Sequence, residues 1–242
     1  MPPPIKLPAF VAEIFDHALD LRTFVLRPEG QVPRFRPGQF LHLAIDPFDP
    51  TKHWPDSRVF SIASSPTDRS RIRITVSRVG KFTSRMFEEL KTNSRVWVKM
   101  PYGTFCPTLT SDSTVVLLAG GTGITPFVSF VEWAAQNQLK GKIHIHYAAR
   151  SPELLIYREF LESYVSQHDS SSLFLYAEEK ETQDNEVLFG RISTKQVWSA
   201  LPNPGNAKFF VSGPKEMIDS YRSELLSYGA NSKVVFTDQW GE

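Results

Sequence analysis

Cysteine is almost absent from this sequence. The lone thiol of Cys106 cannot close an internal disulfide, form a Cys-x-x-Cys redox pair or ligate an iron–sulfur cluster. If the chain handles electrons, it uses an organic cofactor. Surplus charge is absent too: 27 Lys and Arg stand against 26 Asp and Glu, a formal net charge of +1. That balance encodes no bulk attraction to nucleic acid or an anionic membrane, so any charged ligand must be held locally. No apolar run approaches the roughly 18 residues of a membrane span, and the opening MPPPIKLP lacks the pattern of a secretory leader. The expectation is a cytoplasmic protein with no membrane span and no nucleic-acid partner. His144 and His146 alternate along one strand-like run, but no third ligand is suitably spaced, so no metal is expected.

What is present falls into two halves of different grammar. From Ala9 to Phe105 the chain reads as short strands, such as Phe40 to Ile45 and Arg71 to Val76, separated by turn signals at Pro28-Glu29-Gly30, Pro37-Gly38, Pro47 to Pro50 and Pro66-Thr67-Asp68. This pattern predicts an antiparallel β-barrel or sandwich with one short helix, Ser84 to Leu90. Beyond it, Thr114 to Ala119 is almost wholly apolar, as a parallel strand covered on both faces should be. A helix from Pro126 to Gln136 follows. Further strands are expected at Ile143 to Ala148, Leu173 to Ala177, Phe209 to Ser212 and Val234 to Thr237, with helices at Pro152 to Val165 and Pro214 to Leu226. Alternation of this kind predicts a doubly wound parallel α/β sheet whose ligand lies at the carboxyl ends of the strands. The expected domains are residues 1–107 and 108–242.

Three segments can carry chemistry. Gly120-Gly121-Thr122-Gly123-Ile124-Thr125-Pro126 lies between a strand and a helix, where glycines admit a ligand to backbone N–H groups and the helix end favours a diphosphate. The competing reading is a tight turn that binds nothing. It is not a Walker loop, and the second strand ends Ala148-Ala149-Arg150 without the acid of an ordinary dehydrogenase. In the first half, Arg58-Val59-Phe60-Ser61 offers a phosphate partner, an aromatic ring and a hydroxyl, a set that suits a flavin. Gly80-Lys81-Phe82-Thr83 opens a helix able to receive a phosphate.

Together these segments resemble the ferredoxin-NADP reductase family over nearly the whole chain. That family has an RxYS flavin strand, a GxxS or GxxT loop, a P-x-G-x-F segment, GGTGxxP and CGPxxM. The matches here are Arg58 to Ser61, Gly80 to Thr83, Pro101 to Phe105, Gly120 to Pro126 and Ser212-Gly213-Pro214-Lys215-Glu216-Met217, with an acid-x-aromatic ending at Asp238 and Trp240. The resemblance implies an N-terminal flavin barrel binding FAD through Arg58, Val59, Phe60 and Ser61, the strand Thr75-Val76-Ser77, and Gly80, Lys81, Phe82 and Thr83. The nicotinamide nucleotide would lie over Gly121, Thr122, Gly123, Thr125 and Pro126, with Gly213, Pro214 and Met217 closing on it and Trp240 beside the flavin. Ser61, Ser212 and Trp240 would flank the hydride transfer.

Phe60 replaces the family tyrosine and Ser212 the cysteine. Where NADPH-selective members carry Ser-Arg, this chain reads Glu178-Glu179. Carboxylates repel a 2'-phosphate but accept hydrogen bonds from ribose hydroxyls, so NADH is preferred over NADPH, with Arg150 as a counterweight. The implied activity is an NAD(P)H-dependent flavoprotein reductase that passes electrons to a redox partner protein or a small-molecule acceptor. The alternative is a flavin-bound redox-sensing or electron-carrier subunit with little NAD(P)H turnover. Cys106 is expected to be a packed thiol.

Overall fold

The computed structural model describes residues 3–179 and 184–238. The chain divides into two compact units, Met1–Cys106 and Pro107–Glu242.

The first unit is a six-stranded antiparallel sheet built from β1 (Ile5–Ala18), β2 (Leu21–Pro28), β3 (Phe40–Ala44), β4 (Arg58–Ser61), β5 (Ile72–Ser77) and β6 (Arg95–Tyr102), in the order β4-β3-β6-β1-β2-β5. The sheet curls until its ends meet. Just past β4, the Ala63 amide donates to the Arg73 carbonyl of β5 at 2.7 Å, which brings the two edge strands together. Period-two alternation sets the interior: Ile72, Ile74 and Val76 of β5 join Leu41, Leu43, Phe24, Leu26, Val96 and Val98 in the core, while Arg73, Thr75 and Ser77 face away. The one helix, α1 (Lys81–Glu89), caps this core with Phe82 and Met86. Burying Phe82 contributes roughly 1.5–3 kcal/mol.

α1 starts three residues earlier than its sequence predicted. The reason is Thr83, whose hydroxyl accepts from the Val79 and Gly80 amides at 3.0 and 3.1 Å and draws Lys81 to Thr83 into the first turn.

In the second unit all strands are parallel: β7 (Thr114–Gly120), β8 (Lys142–Ala149), β9 (Ser172–Ala177), β10 (Val187–Phe189), β11 (Lys208–Ser212) and β12 (Val235–Thr237), in the order β10-β9-β8-β7-β11-β12. Winding starts at β7, runs outward to β10, then returns to lay β11 on the other side of β7. The topological switch point is therefore between β7 and β11, where ligands of such sheets bind. The helices are α2 (Thr125–Gln136), α3 (Arg158–Ser166), α4 (Thr194–Ala200) and α5 (Lys215–Ser227). Val116, Leu118, Phe209 and Val211 of the central strands bury against Val197 of α4 and Ile218, Tyr221 and Leu225 of α5.

Two local expectations change here. The helix read from Pro152 to Val165 is broken: Pro152–Leu154 is a single 3-10 turn, and Tyr157, at φ 64°, must turn the chain before α3 begins. β10 and α4 were not anticipated, because three residues of strand and two turns of helix are too short for periodicity to register. Among the described residues no helix is long and apolar enough to cross a membrane.

Candidate functional site

In the first unit, β4 and the start of α1 converge. The Arg58 guanidinium lies 5.2 Å from the centre of the Phe82 ring, so the Arg58–Ser61 and Gly80–Thr83 segments form one locus. Arg58 is half exposed, and its guanidinium is held by Asp56 at 2.6 Å and the Ser57 carbonyl at 2.9 Å. Lys81 is exposed beside it. The amides of Lys81, Phe82 and Thr83 have no acceptor within the helix, as in any first turn, and they sit at the positive end of its dipole. Arg85 fixes the helix by a two-pronged pair with Asp46 at 2.8 and 3.1 Å and a second pair with Glu89.

Phe60 is half-buried with part of its ring against the barrel core, and Val59 is half-buried on the opposite side of the strand. Ser61, at the end of β4, is buried. The neighbouring strand corrects one expectation. The Val76 side chain points into the core and can touch no ligand, and the Thr75 hydroxyl is engaged by Thr23 at 2.7 Å. Only the backbone there and the half-exposed Ser77 remain available.

The second locus lies at the switch point. β7 ends in a 3-10 turn, Gly121–Ile124, that leads straight into α2. Its glycines serve two different purposes. A Cβ on Gly123 would come within 2.3 Å of the Ser212 carbonyl oxygen and 2.6 Å of the Gly213 nitrogen, and one on Gly120 within 2.7 Å of the Met217 sulfur. These glycines let the two loops, from β7 and β11, touch each other. Gly121 differs: at φ +54° it is left-handed, and a Cβ there would meet nothing within 4 Å. The open space at this turn is over Gly121. Thr125 is buried and donates to the Thr122 carbonyl at 2.8 Å, and Pro126 is buried in the first turn of α2, so both shape the loop from beneath. Pro214 stays exposed at the N-terminal end of α5, and Gly213 and Met217 are partly exposed.

Below this cradle is the acid of the acid-x-aromatic ending, whose burial no local run of residues foretells. Asp238 is 5% exposed, and its carboxylate accepts from the Ser212 hydroxyl at 2.9 Å. Its amide donates to the Val211 carbonyl. Burial pushes its carboxyl up to about 7. Trp240 lies outside the described residues.

The acidic turn after β9 also differs from expectation. Glu178 and Glu179 do not stand free: Arg191, immediately past β10, grips Glu178 at 3.0 and 3.1 Å, and Arg150 pairs with Glu179 at 2.6 Å. Arg191 escaped notice because only the parallel pairing of β9 and β10 brings it there. His144 bonds Ser172, and His146 bonds the Tyr176 hydroxyl and stacks on Phe174. Cys106 is buried, which pushes its thiol up and leaves it a poor nucleophile.

An antiparallel barrel followed by a parallel sheet with a glycine-rich turn at its switch point is the two-domain fold shared by flavin–nicotinamide reductases. The chain is similar to the ferredoxin-NADP reductase family of that class. Residues 117–223 match the family model for the oxidoreductase NAD-binding domain. The chain is 26% identical over 233 residues to the glycine betaine monooxygenase reductase subunit of Pseudomonas aeruginosa, covering 95% of this chain and 63% of that protein. It is 25% identical over 234 residues to a flavohemoprotein of Rhizobium meliloti, covering 91% and 57%. The chain thus spans less than two thirds of the length of these curated relatives. Among solved structures, the FAD/NAD-binding domain of a nitric oxide dioxygenase from Vibrio cholerae shares the fold at TM-score 0.84 and 19% identity, over 98% of this chain and 99% of that one. A ferredoxin NADP+ reductase from Neisseria gonorrhoeae, solved with FAD and NADP, does so at 0.77 and 20%, over 98% and 99%.

Proposed function

We propose that the chain is an NADH-dependent flavoprotein reductase in which the first unit holds FAD and the second holds the nicotinamide nucleotide. What supports this reading is that one chain holds two strand-to-helix turns of different construction, each suited to a diphosphate. Arg58 supplies a fixed charge and Lys81, Phe82 and Thr83 supply amides, a set matched to a pyrophosphate and so to FAD rather than FMN. The Ser61 hydroxyl suits the polar edge of a flavin ring, and the half-buried Phe60 offers it a face. Over Gly121 the open space and the start of α2 accommodate the second diphosphate.

Bound flavin supplies the redox chemistry, taking up two electrons as hydride and releasing them singly or together. The protein's part is to bind, orient and exclude water. Ser212 is buried with its hydroxyl committed to Asp238, so its part is to fix, from beneath, the loop that Gly123 touches. Electrons leave for a separate acceptor, a redox partner protein or a small molecule. The named relatives, a monooxygenase reductase subunit and a flavohemoprotein, make an oxygenase or haem acceptor the first to try. Glu178 and Glu179 favour NADH over NADPH.

Flavin extraction followed by anaerobic mixing with NADH tests the proposal. Release of FAD and rapid bleaching by NADH are expected. A colourless protein that takes up no flavin would overturn it, and bound flavin that NADH leaves oxidised would assign the chain to an electron-carrier or sensor role instead.

A further inference from the structure

Where β5 begins, at its far end from the Gly80–Thr83 turn, the first unit carries a cavity of about 580 Å³. The five steps along β5, at about 3.3 Å each, separate the cavity from the strand end that feeds the turn by roughly 17 Å. Arg27, Gly30 and Gln31 form one wall, at the end of β2 and in the turn after it, and Asp68, Arg69 and Arg71 form the other, on the approach to β5. β2 and β5 pair antiparallel with Leu26 opposite Ile72, both in the core. The next step of that register sets Arg27 against Arg71 on the outer side of the barrel. Like charges directly opposite one another are destabilising, so the barrel gains nothing from this pairing. Glu13 takes only Nη1 of Arg71, at 2.6 Å. Arg27 is exposed, and its guanidinium has no partner among the described residues. Arg69 is half-buried and anchored. Its carbonyl accepts from the Val32 amide at 3.2 Å and its Nε donates to the Val32 carbonyl at 2.8 Å, which leaves both terminal nitrogens unpaired among the described residues. Asp68, the carboxylate in the wall, has one oxygen committed to the Ser70 amide and hydroxyl at 2.8 and 2.6 Å.

We infer that this cavity is a binding site for a phosphate-bearing small molecule, its phosphate held between Arg27, Arg69 and Arg71. Guanidinium forks match phosphate oxygens two at a time. Among the lining residues three guanidiniums stand against one carboxylate, an excess that suits a phosphate dianion better than a single carboxylate. A bound phosphate also relieves the opposition of Arg27 and Arg71, which the fold leaves uncompensated. The cavity volume falls within the range of about 300–1,000 Å³ usual for small-molecule sites, so there is room for the organic part of the ligand beside its phosphate. None of the residues proposed to hold FAD or the nicotinamide nucleotide lines this cavity, so the site stands whether or not those assignments do.

The test is calorimetric titration of the full chain with inorganic phosphate and with ribose 5-phosphate, at ionic strength matched with sodium chloride. It compares the wild type with Arg27→Gln, Arg69→Gln and, as a control for the α1 turn, Arg58→Ala. Saturable binding of both probes is expected in the wild type and in Arg58→Ala. Binding should weaken by about tenfold or more in Arg27→Gln and in Arg69→Gln, each having lost one charge-assisted contact. Thermal melts show that the variants fold. Without phosphate, Arg27→Gln should melt at or above the wild type because an opposed pair of like charges is gone, and added phosphate should raise Tm more in the wild type than in this variant. Absence of saturable binding, equal affinity in all four proteins, loss of binding in Arg58→Ala alone, or a lower Tm for Arg27→Gln would overturn the inference. So would a hexaglutamate peptide that binds more tightly than either phosphate probe, since the cavity would then be a docking surface for an acidic protein.

Discussion

Replacing Gly123 with alanine puts the packing at the switch point to a direct test. The added Cβ would lie 2.3 Å from the Ser212 oxygen, 2.5 Å from its carbonyl carbon and 2.6 Å from the Gly213 nitrogen. Ordinary contact begins near 3.4 Å, so one loop must retreat by about 1 Å. All three obstructing atoms are backbone, held at the end of a central strand, and no side chain can swing aside. Overpacking of this kind costs about 1–3 kcal/mol, and a rigid obstacle puts Gly123→Ala near the upper end. For a protein of this size each kcal/mol lowers Tm by about 2–4 °C, so a fall of roughly 6–12 °C is expected. Gly121→Ala is the control. Its Cβ meets nothing, and its only penalty is the left-handed φ, about 1–2 kcal/mol. Its methyl group would instead project into the space assigned to the nucleotide, raising KM for NADH with a small loss of stability. Thermal melts followed by circular dichroism, alongside NADH titrations, separate the two effects. If Gly123→Ala melts with the wild type, or Gly121→Ala is the less stable of the two, the loops do not touch as described.

Two buried groups of the second unit predict opposing pH dependences. Asp238, pushed up to about 7, keeps a proton in the fold that the unfolded chain releases, so its contribution to stability falls as pH rises from about 4 to 7. His146, pushed down to about 3 by burial, refuses a proton that the unfolded chain binds, so stability is lost as pH falls below about 6.5. Each slope reaches about 1.4 kcal/mol per pH unit, and between pH 4 and 6.5 they oppose each other. Asp238→Asn should expose the histidine slope in urea midpoints and gain on the wild type above pH 7; a profile parallel to the wild type would show that Asp238 is ionised in the fold. Arg58→Ala removes a charge-assisted contact worth about 1.5–3 kcal/mol, weakening flavin binding by about 10- to 100-fold. Since that side chain is 53% exposed, the barrel should melt unchanged, and flavin retained at wild-type affinity in a fluorescence titration would remove Arg58 from the site.

Much of this protein was legible in its sequence because local rules govern those parts. Period-two alternation in β5, the apolar run of β7 and prolines at the starts of α2 and the Pro152 turn depend only on near neighbours. The glycine-rich loop and the Gly80–Thr83 turn were equally visible, since each is a strand-to-helix junction written in consecutive residues. By itself the sequence determined the order of a β unit and a parallel α/β unit and where the Gly80–Thr83 and Gly120–Pro126 turns lie. Only the tertiary structure decided what individual residues in those turns do. It separated Gly121, open to a ligand, from Gly123, pressed against Ser212 some ninety positions later in the sequence. It turned Val76 inward, buried Asp238 beneath Ser212, and brought Arg191 onto Glu178. In each case the deciding contact joins separate strands, and strand order in a sheet is set by packing of the whole layer rather than by any local run of residues.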